Sequence, residues 1–532
     1  MSSTVARVSL SSNFDRQVVE RMLEYVERTS PWTRQLWSVS ATTELRELLE
    51  CSEAVVSQTL STASLRYVRS ALPARIMRDP GFGSKPHRAA LKDLLPKEDL
   101  VAHGHDWHAI AKATTDARDA YLPNWSAALN SGETVSLERT AASIAAFLLD
   151  EGLSGTWIHR WLTYHLRHNP TSVSLADLVG EASAKLTSGR QTLHVLITFA
   201  EPPKIPSPPP PGWLTGSQVR PWRRSHGCGD VGQRQYGGLV LAVQAFEPYG
   251  AVLAAADRLA RVRARFVLGS KRSFVPNELV WVEGHQEPFD LVRESRRVEV
   301  HSLERSDQLF ELQLADPAID AALELLEPAL EGQMTSAMAG AWAAIESLLT
   351  GPGDRGNVAA ADRLARIAAC SFVRHELTTL AWEHSGVAGD SLAVQITACS
   401  DNRSRARLME QHIIGGGTPA WRHSPDELAF MRVKKVLPPD AQGLSDIEAY
   451  LQAAMRRLYR QRNLLLHAGK MDAVALHPTL RTTTPIVAAG LDRIVAASVE
   501  RGVTALEFAA STKLAMDRYR SGSLSSVVDL LT

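Results

Sequence analysis

The sequence predicts a multidomain, mainly α-helical protein: a helical N-terminal region, a small mixed α/β middle domain and a C-terminal antiparallel helical bundle. Three observations carry that expectation. A chain of 532 residues exceeds what one hydrophobic core usually organises. Apolar residues recur at helical spacing through most of the first two hundred and last two hundred positions. Between them lie short Val- and Leu-rich runs and a proline-dense stretch from Glu201 to Gly212, which can continue neither a helix nor a sheet interior.

In chain order, residues 14–28 carry Val18, Val19, Met22, Leu23 and Val26 at helical spacing. Two more helices are expected over 137–150 and 156–168, parted by Glu151-Gly152-Leu153-Ser154-Gly155. Residues 192–199 read as a strand that ends at the prolines. The N-terminal region is therefore drawn as 1–201 and the proline-rich linker as 202–213. Residues 214–317 hold strand candidates at 238–245, 279–282 and 297–300 and a helix at 249–266, which predicts a small sheet with one helix packed on it. From 318 to 532 the pattern is helical throughout. Met338, Ala341, Trp342, Ile345 and Leu349 line one long helix, and Leu364, Ile367, Ala368 and Phe372 line the next. A motif-bearing helix follows at about 443–468, with two more near 484–500 and 503–518, which favours four or five antiparallel helices. The connection at about 384–442, with Gly415-Gly416-Gly417, reads as an insertion.

Composition bounds the function. Apolar residues make up 45% of the chain and charged residues 22%, ordinary for a globular protein. The formal net charge of zero argues against a surface coated for non-specific nucleic-acid binding, so any such contact is expected to be a patch. Cys51, Cys228, Cys370 and Cys399 are scattered, which suggests neither a disulfide framework nor a zinc ribbon. No signal peptide or membrane-spanning run is visible, so the expected location is cytoplasmic. The segment His103-Gly104-His105-Asp106-Trp107-His108 lacks a recognisable ligand spacing and reads as a helix opening rather than a metal site. Gly227-Cys228-Gly229-Asp230-Val231-Gly232 is not a phosphate loop, because no Gly-Lys-Ser/Thr occurs in the chain. No metal and no cofactor is expected.

The stretch that carries chemistry is Arg460-Gln461-Arg462-Asn463-Leu464-Leu465-Leu466-His467-Ala468-Gly469. Leu451, Leu458 and Leu465 form the apolar seam of its helix, and Tyr459, Asn463 and His467 form a second stripe at i, i+4 and i+8. Arg462 lies five residues before His467, about 140° around an ideal helix. The guanidinium must therefore curl toward the histidine, or the two groups must meet across a partner helix. No acidic residue occurs between Leu451 and Lys470, so Arg456, Arg460 and Lys470 are expected to form a basic patch that binds RNA phosphates. The bland reading makes Arg462 a solvated surface residue, His467 a group favoured by the helix C-terminus and Gly469 its cap.

Arg462-Asn463-x-x-x-His467 resembles the Arg-x4-6-His motif of the HEPN superfamily, and Leu458-Tyr459-x-x-Arg462-Asn463-x-x-x-His467-x-Gly469 is similar to the signature of its Apea-like branch. Ala341-Trp342-Ala343-Ala344-Ile345-Glu346 resembles that branch's first helix, and Asp362 to Ala368 its second. The resemblance covers roughly residues 318–520. It implies a metal-independent endoribonuclease that leaves 2′,3′-cyclic phosphate and 5′-hydroxyl ends, with tRNA, rRNA or mRNA as substrate. It also implies a homodimer through the C-terminal bundle, and a toxin or anti-phage defence role held back until a phage-derived or small-molecule trigger arrives. His467 is then the acid/base group, Arg462 the bidentate phosphate clamp and Asn463 an orienting residue. Tyr459 and Glu346 are candidate supporting residues. The competing reading is a non-catalytic HEPN-like module that dimerises or binds RNA or nucleotides inside a sensing protein. A third makes the middle domain a ligand receptor.

Overall fold

A computed structural model describes residues 10 and 12–532 except 97–98, 168–172, 202–204, 231–235, 271–273, 292–295, 297, 355–357 and 438–441. It is mainly helical, with one five-stranded antiparallel sheet among the described residues. The contacts divide it into two compact units, one of residues 148–295 and one that joins residues 9–147 to residues 296–532.

The smaller unit contains β1 (Gln191–Phe199), β2 (Trp213–Thr215), β3 (Gly237–Ala245), β4 (Pro276–Val282) and β5 (Phe289–Asp290) in the order β2-β3-β1-β4-β5. β1 alternates its faces as a strand must. Val195, Ile197 and Phe199 pack with Ala251, Ala255 and Leu259 on one side, whereas Leu196 joins Val219 and Trp281 on the other. Two helices, one on each face, therefore cover the sheet where the sequence suggested one. β1 pairs with β3 from Gln191↔Ala245 to Thr198↔Gly238. The strand before the proline-rich run, β1, and the two that follow it, β2 and β3, thus belong to one sheet, with β3 between the other two. That run is a connection inside one unit, and the unit boundaries fall at 147/148 and 295/296 instead of 201, 213 and 317. The strand expected at 297–300 is not formed at Val298–Val300, and Arg297 lies outside the described residues.

The helices, in chain order, are α1 (Asn13–Val26), α2 (Ala41–Val56), α3 (Thr62–Arg78), α4 (Lys85–Asp93), α5 (His105–Asn130), α6 (Leu137–Glu151), α7 (Gly155–Arg167), α8 (Leu175–Thr187), α9 (Gly216–Ser225), α10 (Pro248–Gly269), α11 (Ser302–Arg305), α12 (Pro317–Glu331), α13 (Met334–Leu349), α14 (Val358–Val387), α15 (Ser391–Ala398), α16 (Asn402–Ile414), α17 (Ser424–Lys434), α18 (Gln442–His467), α19 (Leu476–Arg501) and α20 (Ala505–Arg520). The helices at the sheet are α9 and α10. In the larger unit α14 is the axis, packed by α13, α16, α18, α19 and α20. Its residues Leu364, Ile367, Ala368 and Phe372 are buried, as their spacing predicts. α19 approaches α14 so closely that a Cβ added to Gly490 would lie 2.3 Å from Leu364 Cδ1, so any larger residue there must displace the Leu364 side chain. The stretch read as an insertion supplies α15, α16 and α17, and all three lie against α14.

Candidate active site

α18 is fixed by its apolar seam. Leu451 and Leu458 are fully buried and Leu465 nearly so, against α13, α14 and α19. At its far end Gly469 takes φ +64°, a left-handed backbone that favours glycine, and the Lys470 N–H donates to the Leu464 carbonyl. The turn leaves His467 exposed at the helix terminus.

Arg462 resolves the angular mismatch by curling. Its Nη1 donates to Asn463 Oδ1 at 2.9 Å and lies 2.8 Å from His467 Nε2, all within one helix. A guanidinium has no lone pair to offer, so Nε2 accepts and the imidazole in this arrangement is neutral, with its proton on Nδ1. Nη2 of Arg462 makes no hydrogen bond among the described residues. Asn463 is buried while His467 is open to solvent, so the three groups run from the bundle outward. Tyr459, one turn back on the same stripe, packs its ring 5.1 Å from that of buried Trp342 on α13. The Trp342 indole Nε1 donates to Glu346 Oε2 at 3.0 Å. Glu346 and Tyr459 are thus linked through Trp342 and anchor α13 to α18.

The remaining basic residues of α18 require a correction. They were expected to face RNA because no acid lies near them in sequence. In the fold, α2 brings an acidic face made of Glu44, Glu47, Glu50 and Glu53, spaced three apart so that successive turns present a carboxylate. Arg457 reaches Glu47 at 3.0 Å and Glu44 at 2.5 Å, and Arg460 reaches Glu47 at 2.8 Å. Lys470 pairs with Glu50 and Glu53, each at 3.2 Å. Arg456 forms a bidentate pair with Asp362 and lies over the Tyr67 ring at 4.3 Å. Burial alone would raise the Glu47 carboxyl, but Arg460 and Arg457 overcome it and hold it below the usual range. Burial keeps Glu50 above that range despite Lys470. Arg456, Arg460 and Lys470 are therefore committed to carboxylates of this chain, and Arg462 stands apart from the cluster.

Among the described residues no group of three or more His, Cys, Asp or Glu side chains is arranged to hold a metal ion. His105 opens α5, and Trp107 lies against the rings of His103 and His108. No helix is long and apolar enough to cross a membrane among those residues. No family model, curated protein or solved structure matches this chain.

Proposed function

We propose that this protein is an Apea-like HEPN endoribonuclease that cuts RNA without a metal, with Arg462 and His467 as its working pair. One observation carries the reading: the guanidinium and an exposed imidazole lie 2.8 Å apart on a single helix, with Asn463 as a third member. RNA supplies its own nucleophile, the 2′-hydroxyl. The protein must take that proton, stabilise charge on the non-bridging oxygens and protonate the 5′ oxygen as it leaves. A neutral imidazole is a competent base once its Nε2 lone pair is released from Arg462, and a guanidinium fork suits the phosphate oxygens. A phosphate that draws the Arg462 fork onto its oxygens would free Nε2 to take the 2′-hydroxyl proton. One histidine cannot serve both sides of one phosphorus. The reading therefore includes a homodimer in which two α18 helices supply two imidazoles. RNA, a phage-derived or small-molecule trigger and a defence or toxin role belong to the same proposal.

The second reading, a non-catalytic module, is favoured by a specific observation: most of the basic face of α18 is neutralised by α2. Incubation of the purified protein with total tRNA and rRNA in EDTA separates the two. The nuclease yields 2′,3′-cyclic phosphate ends that His467→Ala does not, and the module yields no cuts from either protein.

A further inference from the structure

A second site lies in the larger unit, away from the Arg462–His467 pair. It is a cavity of about 360 Å³ walled by α1, α3, the segment before α2, the start of α6, the end of α17 and the first turns of α18. That volume falls in the range of small-molecule sites, about 300–1,000 Å³.

Its charge is unbalanced in one direction. Arg21 and Arg432 reach the cavity but are taken up by Glu138, Arg21 at 3.0 Å. Burial would raise that carboxyl, and the two guanidiniums instead hold it down to about 2, so it stays ionised and keeps both cations engaged. Arg75 is likewise paired with Glu44. Arg78, Arg139 and Lys435 also line the cavity, and their side chains make no hydrogen bond or ion pair among the described residues. Besides the occupied Glu138, the lining carboxylates are Asp79 and Asp446. Asp79 accepts from Tyr121 and the Gly81 N–H, and burial raises it toward its neutral form. Asp446, which accepts from the Gln442 side chain at 3.1 Å, is the remaining lining carboxylate set against three cations.

The walls are also aromatic. Trp37 stacks on Trp32 with centroids 5.8 Å apart, meets Phe372 edge-on, and is half-buried in the lining. Tyr450, on α18, also lines the cavity and is 58% exposed. Three unpaired cations beside two accessible rings are complementary to a molecule that carries both a phosphate and a flat ring. We infer that this cavity binds a small phosphorylated heteroaromatic compound, with its phosphate on Arg78, Arg139 and Lys435 and its ring against Trp37 and Tyr450.

The inference stands without RNA cleavage, since its readout is binding. Titration calorimetry on the full chain with ADP should give micromolar affinity, and pyrophosphate or adenosine alone should bind at least tenfold more weakly. The double substitution Arg139→Glu with Lys435→Glu removes two unpaired cations, so it should leave the unliganded melting temperature unchanged and weaken ADP at least tenfold. Four outcomes would overturn the site: no binding by ADP, GDP, CDP or UDP at millimolar concentration; undiminished affinity in the charge-reversed protein; pyrophosphate as tight as ADP; or adenosine as tight as ADP. None of these bears on whether His467 cuts RNA.

Discussion

Replacing Glu47 by Gln removes one charge from the most enclosed part of the α2–α18 contact. Glu47 has no exposed surface, and it accepts from Arg457 Nε at 3.0 Å and from Arg460 Nε and Nη2 at 3.0 and 2.8 Å. Both arginines are buried, and Arg460 has no other carboxylate partner among the described residues. Breaking a buried pair from one side costs about 3–5 kcal/mol, because the partner's charge is left uncompensated. Arg457 retains Glu44, so about 3 kcal/mol is expected. Urea denaturation of parent and variant, followed by circular dichroism, measures it. The pH dependence gives an independent check. The folded carboxyl sits below its ordinary 4.5. Its contribution is therefore complete above that value and is lost as pH falls through the lower folded value. The gap between parent and variant should be constant near neutrality and close in acid. A loss under 1 kcal/mol, or a gap that widens on acidification, would refute the argument that Glu47 carries the clamp.

Arg460→Ala should behave as a folding mutation, lowering stability by about 3 kcal/mol while leaving the salt dependence of RNA binding unchanged; a flatter salt slope in filter binding would return Arg460 to the RNA surface. His467→Ala should abolish cleavage of tRNA in EDTA and shift stability by no more than about 0.5 kcal/mol, since the ring is exposed. Equal cutting by mutant and parent removes it from the mechanism. Arg462→Lys keeps the charge but loses the fork, so RNA affinity should fall less than turnover; a variant as fast as the parent would reduce Arg462 to general attraction. Mixed dimers of full-length Arg462→Ala and His467→Ala chains should regain activity if each cleft takes groups from two subunits, and a strictly monomeric protein that cuts at full rate would rule out a shared cleft.

Local patterns were legible in the sequence and distant pairings were not. The 3.6-residue period of Leu451, Leu458 and Leu465 identified the buried seam of α18, and the Ala/Val/Leu runs of β1 and β3 identified the sheet. The capping role of Gly469 followed from residue type alone. The acids that hold Arg457 and Arg460 sit about four hundred positions upstream, so a search along α18 found an unopposed basic stripe. One signal was available: Glu44, Glu47, Glu50 and Glu53 repeat every three residues on a helix whose other positions, Arg46 apart, are apolar or small. Such a stripe on a helix that becomes buried needs cations from elsewhere. The proline run misled for a related reason. Proline ends a strand but says nothing about whether a later strand returns to the same sheet, as β3 does beside β1. For Arg462 and His467, helical geometry set the backbone angle but not the reach of a flexible side chain.

Glu44 occupies a position whose significance extends past the clamp. Arg75, from the cavity wall, and Arg457, from α18, both donate to its Oε1, while Oε2 is buried without a hydrogen-bond partner among the described residues. One oxygen thus serves two guanidiniums that belong to different parts of the molecule. An anion that drew Arg75 toward the cavity would leave that oxygen wholly to Arg457 and seat α18 more firmly on α2. By reciprocity, a contact that pulled α18 from α2 would return the oxygen to Arg75 and make it a poorer host for that anion. If the cavity takes an anion, the shared oxygen of Glu44 is the point at which its occupancy would be felt by the helix that carries Arg462 and His467.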